Sequence, residues 1–231
     1  MIPSVQTREI PDGVIARLVT NARGQGHGVV ETLVRAFTSD PVAVHLFPDP
    51  AVRVRGMAHV FMLALRSAWK SGCVDVIQPN DAAAIWLRPG HDKARCVQLI
   101  GNGALAAPFL VGWGATRRML RYEKFVEQRR ARLMGRQPYW YLFAIGVLPN
   151  RCGAGLGSAL LEAGRRRASE DRFPCYLETS NEHNLAFYQK RGFSIIDRQT
   201  LPDTQLTVWS LMLDHSAVRE TKRPCRVASN P

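Results

Sequence analysis

YWYLFAIGVLPNRCGAGLGSALLEAGRRRASED, residues 139–171, decides the fold. Its first nine residues are an apolar run of strand type, and a helical pattern begins near Gly157. Between them Gly153, Gly155 and Gly157 alternate where the chain must turn from strand into helix. Without Cβ atoms in the way, successive backbone N–H groups converge on one point, and the positive end of the helix dipole adds its attraction. Such a turn binds anions, pyrophosphates in particular. It is not a nucleoside triphosphate loop, because no Gly-Lys-Ser/Thr follows the glycines and Ser158 has Gly157 before it. It is a poor dinucleotide fingerprint too: the third glycine comes one residue early, and residues 172–175 place no acidic group on a strand end for a ribose. A pyrophosphate of another kind remains.

Working outward, strands are expected at 174–180, 193–198 and 205–213, with a helix at 184–191 between the first two. Upstream, the pattern predicts a strand at 14–19, a helix at 29–37 stopped by Asp40-Pro41, and a longer helix over 52–69. A hairpin is expected over 73–87, turning at Pro79-Asn80-Asp81. The uncharged stretch 97–116 and the basic helix 116–136 read as an insertion covering one side of the sheet and forming a wall of the binding site. Two adjacent strands near the end are joined only by a loop, so the sheet is mixed. No internal repeat is present.

The 231 residues are 46% apolar and 22% charged, the balance of a folded protein. Lys and Arg number 31 against 19 Asp and Glu, a formal charge of +12. That excess points to a negatively charged partner: nucleic acid, an acidic membrane surface or a phosphorylated cofactor. It is local, with eight basic against two acidic residues in 116–136 and four against one in 216–231. In the first stretch Met119, Tyr122, Val126 and Leu133 recur at helical spacing, so one stripe is buried and a wide basic face is solvated. The second has few apolar residues and reads as a basic tail without a packed structure.

Cysteines at 73, 96, 152, 175 and 225 form no Cys-x-x-Cys pair, and the six histidines include no His-Glu-x-x-His pattern. Neither a disulfide framework nor a metal site is expected, and a reducing cytoplasm fits. The N-terminus lacks the layout of a signal peptide. Residues 97–116 contain Gln98, Asn102, Pro108 and several glycines, so they are not expected to span a membrane.

With Pro149 ahead of Cys152-Gly153-Ala154-Gly155-Leu156-Gly157 and Ser158-Ala-Leu-Leu after it, the loop resembles that of the GNAT superfamily of acetyl-CoA-dependent N-acetyltransferases. Leu177-Glu178-Thr179-Ser180, Asn184-Leu-Ala-Phe187-Tyr188 and Arg191-Gly192-Phe193 follow in that family's order. AFTSDPVAVHLFPDP, AAAIWLRPG, the aromatic strand and the CYLETSNEHNLAFYQKRGF block are most similar to puromycin N-acetyltransferases and their bacterial relatives, over about residues 14–214. The resemblance implies an α/β (α+β) fold with a mixed, mostly antiparallel sheet and helices on both faces. It implies a flexible N-terminus at 1–12 and one domain at 13–214, with acceptor-side elements at 13–136 and the acetyl-CoA core at 137–214; the basic tail follows at 215–231.

The implied reaction is direct transfer of acetyl from acetyl-CoA to a primary amine of a small molecule, an antibiotic or aminonucleoside among the acceptors to consider. Protein or peptide acetylation is the alternative, and a noncatalytic nucleic-acid-binding module is a more remote one. Acetyl-CoA is the donor and no metal is implied; no membrane partner is implied, and a monomer and a homodimer remain open. The resemblance places the backbone of Ile145, Gly146 and Val147 along the pantetheine arm. Cys152, Gly153, Ala154, Gly155, Leu156, Gly157 and Ser158 lie at the pyrophosphate, and Asn184 on the cofactor arm. Asn184 is equally a helix N-cap. Cys152 stands where relatives carry Gln or Arg, so binding rests on backbone N–H groups, with Arg151 and the run Arg165-Arg166-Arg167 nearby.

Tyr188 matches the family tyrosine that protonates the leaving thiolate; phenols titrate near ~10, so it enters protonated. Glu178 is read as a general base, beside Tyr176 and Trp140 in a partly apolar cleft, or as an anchor for a cationic acceptor. Asp40, His45, Trp86, Tyr139 and Tyr141 are candidates for the acceptor pocket.

Overall fold

The computed structural model describes residues 5–10, 14–20, 23–90 and 104–214. Eight strands, β1 (Val5–Ile10), β2 (Val14–Thr20), β3 (Gly72–Ile77), β4 (Ala82–Leu87), β5 (Trp140–Val147), β6 (Cys175–Thr179), β7 (Ser194–Thr200) and β8 (Thr207–Leu213), form one sheet. Its order is β1-β2-β3-β4-β5-β6-β8-β7. Only β5 and β6 pair parallel, and every other neighbouring pair is antiparallel. The mixed, mostly antiparallel sheet expected from the sequence is the one observed.

Among the described residues six α-helices cover its two faces. On one face lie α1 (Gly26–Phe37), α2 (Pro41–Leu46), α3 (Pro50–Ser71) and α4 (Ala107–Met134). On the other lie α5 (Leu156–Asp171) and α6 (Leu185–Gln189). The apolar period of α1 buries Val29, Val30, Leu33 and Val34, and that of α3 buries Met57, Phe61, Ala64, Leu65 and Ala68. Asp40 and Asp49 cap α2 and α3, accepting from the N–H groups of Val42 at 2.9 Å and Ala51 at 2.8 Å, each with proline in the first turn. Asp40-Pro41 thus ends one helix and starts the next. On the opposite face Leu156, Leu160 and Leu161 pack with Trp86, Trp140 and Leu177.

Two expectations change. The stretch 1–12, read as flexible, contributes β1, whose backbone pairs antiparallel with β2 from Val5↔Val19 to Ile10↔Val14. In VQTREI only the two end residues are apolar, so no strand period showed in the sequence. The basic helix begins at Ala107, well before residue 116, with Pro108 in its first turn and a break at Gly112, whose φ of +80° glycine adopts readily. Residues 97–103 of the uncharged stretch, and the tail at 215–231, lie outside the described residues.

One irregularity positions everything that follows. In the β4/β5 ladder Ile85 faces Ala144 while Trp86 faces Leu142, so Phe143 is an extra residue, a β-bulge. Pairing of β5 with β6 runs through Trp140↔Cys175, Tyr141↔Tyr176 and Leu142↔Leu177 and stops there. The bulge bends β5 where its ladder with β6 ends, and the strands part.

Candidate active site

Beyond the bulge, the side of β5 that faces away from β4 has no strand partner among the described residues. A groove of about 450 Å³ opens there, lined by Ile145, Gly146 and Val147 on β5. Cys152, Gly153, Gly155, Leu156, Gly157 and Ser158 continue it into α5, and Asn184 and Tyr188 close the other side. Of the cofactor-site residues expected from the sequence, the groove brings all together except Ala154, which packs against the apolar core behind it. Gly153 and Gly155 take φ of +86° and +71°, the left-handed region, and Gly155 is the residue that starts α5. Gly146 is closely approached, but by helix: a Cβ there would stand 2.8 Å from the Ala36 Cβ and 3.0 Å from Leu33 Cδ2.

The charges near the loop differ from expectation. Arg151 is held by Asp81 at 3.0 Å, bracing the loop against the β3–β4 turn. The run Arg165-Arg166-Arg167 pairs internally, with Glu162 at 3.1 Å, with Glu170 at 3.9 Å and with the fully buried Asp75. Arg151 and Arg191 both line the groove, and Arg191 is the one not held by Asp81. Its guanidinium stacks 3.8 Å over the Phe187 ring and donates to the Phe187 carbonyl at 2.7 Å and to the Ser158 hydroxyl. Burial, and then the nearby charge of Arg165, push the Arg191 pKa below its ordinary value. An anion in the groove would relieve that cost. Sequence reading quoted Arg191 only as part of a motif.

Asn184 makes no side-chain capping bond, and the capping is done by Asn181, whose Oδ1 accepts from His183 N at 3.1 Å. The Asn184 side chain is not used in capping and lies in the groove lining. These groups fit a CoA-type cofactor: unpaired strand backbone for the pantetheine arm, converging N–H groups and one cation for the pyrophosphate.

A second cavity, of about 150 Å³, joins the groove through Phe37, Asp40, Ile145, Asn184 and Tyr188, which line both. Met119, Tyr122, Glu123 and Val126 of α4 form one wall, as expected of the insertion. Tyr188 is buried, in edge contact with Phe187 and Phe193 at 5.2 and 5.9 Å. Burial, reinforced by the charge of Asp40, raises its pKa well above that of a free phenol.

Glu178 lines this cavity, and its carboxylate is engaged by Arg130 at 3.3 Å, with side-chain exposures of 5% and 3%. Arg130 also lies 4.7 Å from the centre of the Tyr141 ring. The basic face of α4 is therefore only partly solvated, since Arg129 is also buried and pairs with Asp197. Asp40 differs from Glu178: its polar contacts are backbone N–H groups, and burial, only partly offset by those bonds, raises its pKa. The Ser180 hydroxyl is buried in the lining without a hydrogen-bond partner among the described residues.

Of the other candidates for the acceptor pocket, Asp40 and Tyr141 line it. Trp86 is fully buried against α5, where a Cβ on Gly164 would stand 2.1 Å from its ring, and Tyr139 packs edge-on to Tyr176 at 5.5 Å. His45 lies outside the cavity lining, in the field of Arg118 and Arg121. Trp140 points to the opposite face and donates to Asp171 at 2.9 Å. The alternation of sides along β5 separates Trp140 from Tyr141. Among the described residues no group of three His, Cys, Asp or Glu is placed to hold a metal, and no helix is long and apolar enough to cross a membrane.

The acetyltransferase (GNAT) family profile matches residues 91–193. An uncharacterized N-acetyltransferase of Schizosaccharomyces pombe is 25% identical over 167 residues, 70% of this chain and 68% of that protein. A histone acetyltransferase-related structure from Corynebacterium glutamicum superposes with a TM-score of 0.59 at 22% identity, over 93% of this chain and 97% of its own. The Drosophila melanogaster polyamine N-acetyltransferase, described as forming N-acetylagmatine, gives 0.56 at 15% identity over 85% and 99%. At these identities the two structures share the fold. The groove, the loop and the profile over residues 91–193 agree: the chain has the GNAT fold and is similar to the N-acetyltransferases of that family.

Proposed function

We infer that the protein acetylates the primary amine of a small molecule with an apolar body, by direct transfer between the two bound substrates. The observation that carries this reading is the junction: the amine cavity opens on the cofactor groove at Asp40 and Tyr188, which line both. An acceptor there has apolar walls from Val42, Leu46, Phe61 and Met119 around its body and carboxylates from Asp40 and Glu123 for its charge.

The amine nitrogen attacks the thioester carbonyl, the C–S bond breaks, and two protons must move. Asp40, its carboxylate kept from full solvation and not ion-paired in the way of Glu178, takes the proton from the ammonium group directly or through water. Tyr188, still protonated well above neutral pH, gives its proton to the CoA thiolate and is reprotonated, through water, by the second proton that the nitrogen sheds as the amide forms. The β5 backbone beyond the bulge supplies an N–H for the carbonyl oxygen, and Asn184 with Arg191 fixes the donor. Glu178 acts as the counter-charge of Arg130 and shapes the wall. The forming of N-acetylagmatine by the Drosophila enzyme of the same fold supports acetylation of a small-molecule primary amine.

The test is a panel of arylalkylamines, agmatine, aminonucleosides including puromycin, aminoglycosides and lysine peptides, read by release of CoA thiol. Turnover of small amines with apolar bodies above that of peptides and aminoglycosides is expected. Peptides outpacing every small amine would overturn the reading.

A further inference from the structure

Beyond the amine cavity, on the side away from the groove, lies a third space of about 110 Å³ between α3 and α4. It shares Val60, Met119, Glu123 and Phe143 with the amine cavity, as the amine cavity shares Asp40 and Tyr188 with the groove. The three spaces therefore adjoin in sequence: cofactor groove, amine cavity, and a recess whose outer rim includes the largely exposed Leu120. Leu63, Ala64, Leu87, Ala107 and Leu120 make the recess walls apolar, and His59 is its basic group. Burial, followed by the charge of Arg66, lowers the His59 pKa, so the imidazole adds no cation near neutral pH.

Phe143, at the neck between the two cavities, is the extra residue of the β5 bulge. The irregularity that opens the cofactor groove thus also places an aromatic ring at the entrance to the recess.

We propose that the recess is the subsite for the apolar tail of the acceptor, so that the favoured substrates are elongated primary amines with an unbranched or flat apolar chain running past Phe143 and Met119. This rests on the small-amine reading above and specifies it. The occupant follows from position and chemistry: a molecule held by its amine beside Asp40 meets, on the side away from the groove, a space walled largely by aliphatic side chains. A second cation at the far end would have to lie among those groups, so a diamine is the disfavoured alternative.

The experiment measures kcat/KM for n-alkylamines from butyl to decyl, with 1,8-diaminooctane alongside, by CoA thiol release at saturating acetyl-CoA. In the wild type kcat/KM should rise about three- to fourfold for each methylene that enters the recess and then level off. Ala64→Leu fills the recess from α3 without touching the amine cavity. Thr116→Leu does so from the half-buried rim on α4, where overpacking is least disruptive. In each variant butylamine turnover should stay within about twofold of wild type, which also reports folding, while the advantage of decylamine falls at least tenfold.

Butylamine turnover with no gain from chain length overturns the subsite and leaves the small-amine reading standing. So does a length dependence that survives both substitutions, or a diaminooctane rate above that of octylamine. Donor binding with no acetylation of any amine in the series overturns both.

Discussion

Along the cofactor groove the binding groups are mostly backbone: the unpaired edge of β5, the N–H groups from Gly153 to Ser158, and the start of α5. In the amine cavity they are side chains drawn from α1, α2, α3, α4, β5 and β6. Backbone binding demands particular residue types wherever the chain takes an unusual path, whereas a cavity walled by side chains demands only volume and polarity. The first kind of site writes itself into the sequence as spaced glycines. The second is shared among positions from 37 to 188 that have nothing in common until the chain folds.

The largest effect that sharpens this contrast belongs to the amine side. Asp40→Asn keeps the N-cap of α2, because an amide oxygen can still accept from Val42, and removes the proton acceptor. We expect kcat to fall by about 10²- to 10⁴-fold with KM for acetyl-CoA unchanged. Stability supplies an independent readout. Burial raises the Asp40 pKa, so folding favours its protonated form; that contribution is full below the ordinary carboxylate range and lost as pH rises through the raised value. The uncharged variant should therefore gain in Tm relative to wild type between about pH 3 and pH 7. A constant Tm difference across that range, with wild-type turnover, would return the role of base to Glu178.

Glu178 separates structure from chemistry in the same cavity. Glu178→Leu leaves Arg130 charged and buried, and breaking such a pair costs about 3–5 kcal/mol, so unfolding should occur at clearly lower denaturant. The double variant Glu178→Leu/Arg130→Met should recover most of that loss, since it leaves no charge uncompensated. Failure of the double variant to recover stability would mean that Glu178 contributes through something other than its partner.

How much of this was legible beforehand follows the same division. Gly153, Gly155, Asn184 and Tyr188 stood out by spacing and resemblance, and the structure gathers them on one groove. Glu178 was visible as a carboxylate on the right strand, but its partner Arg130 was not, because 48 residues separate them and the period of α4 does not tell which arginines turn inward. Ser180 was quoted only as the end of the Leu177–Ser180 motif, without a role. Asp40 was noticed as a helix stop and as a candidate for the acceptor pocket, and its burial at the meeting of two cavities makes it a candidate base. The Phe143 bulge was invisible because an apolar run looks the same with or without one extra residue.

On the cofactor side, Arg191→Ala removes the charge facing the groove while the loop backbone stays. A hydrogen bond to a charged group contributes about 1.5–3 kcal/mol, so KM for acetyl-CoA should rise roughly tenfold or more with kcat little changed. An unchanged KM would show that the backbone N–H groups suffice for the pyrophosphate and that Cys152 needs no compensation.

The smallest effects test the backbone argument itself, by setting two glycines of one loop against each other. Gly155 has φ of +71°, so Gly155→Ala forces a Cβ into the left-handed region at about 1–2 kcal/mol and shifts the N–H groups that follow. Gly157 lies in the first turn of α5, and a Cβ there would stand 3.5 Å from Val147 Cγ2 and 3.6 Å from the Phe187 ring, ordinary contact distances. Alanine exceeds glycine in helix propensity by up to about 1 kcal/mol, so Gly157→Ala should be neutral or slightly stabilising and leave KM for acetyl-CoA within about twofold. Equal damage from both substitutions would mean that the loop needs an open surface at every glycine, and that the left-handed turn at Gly155 is not what positions the donor.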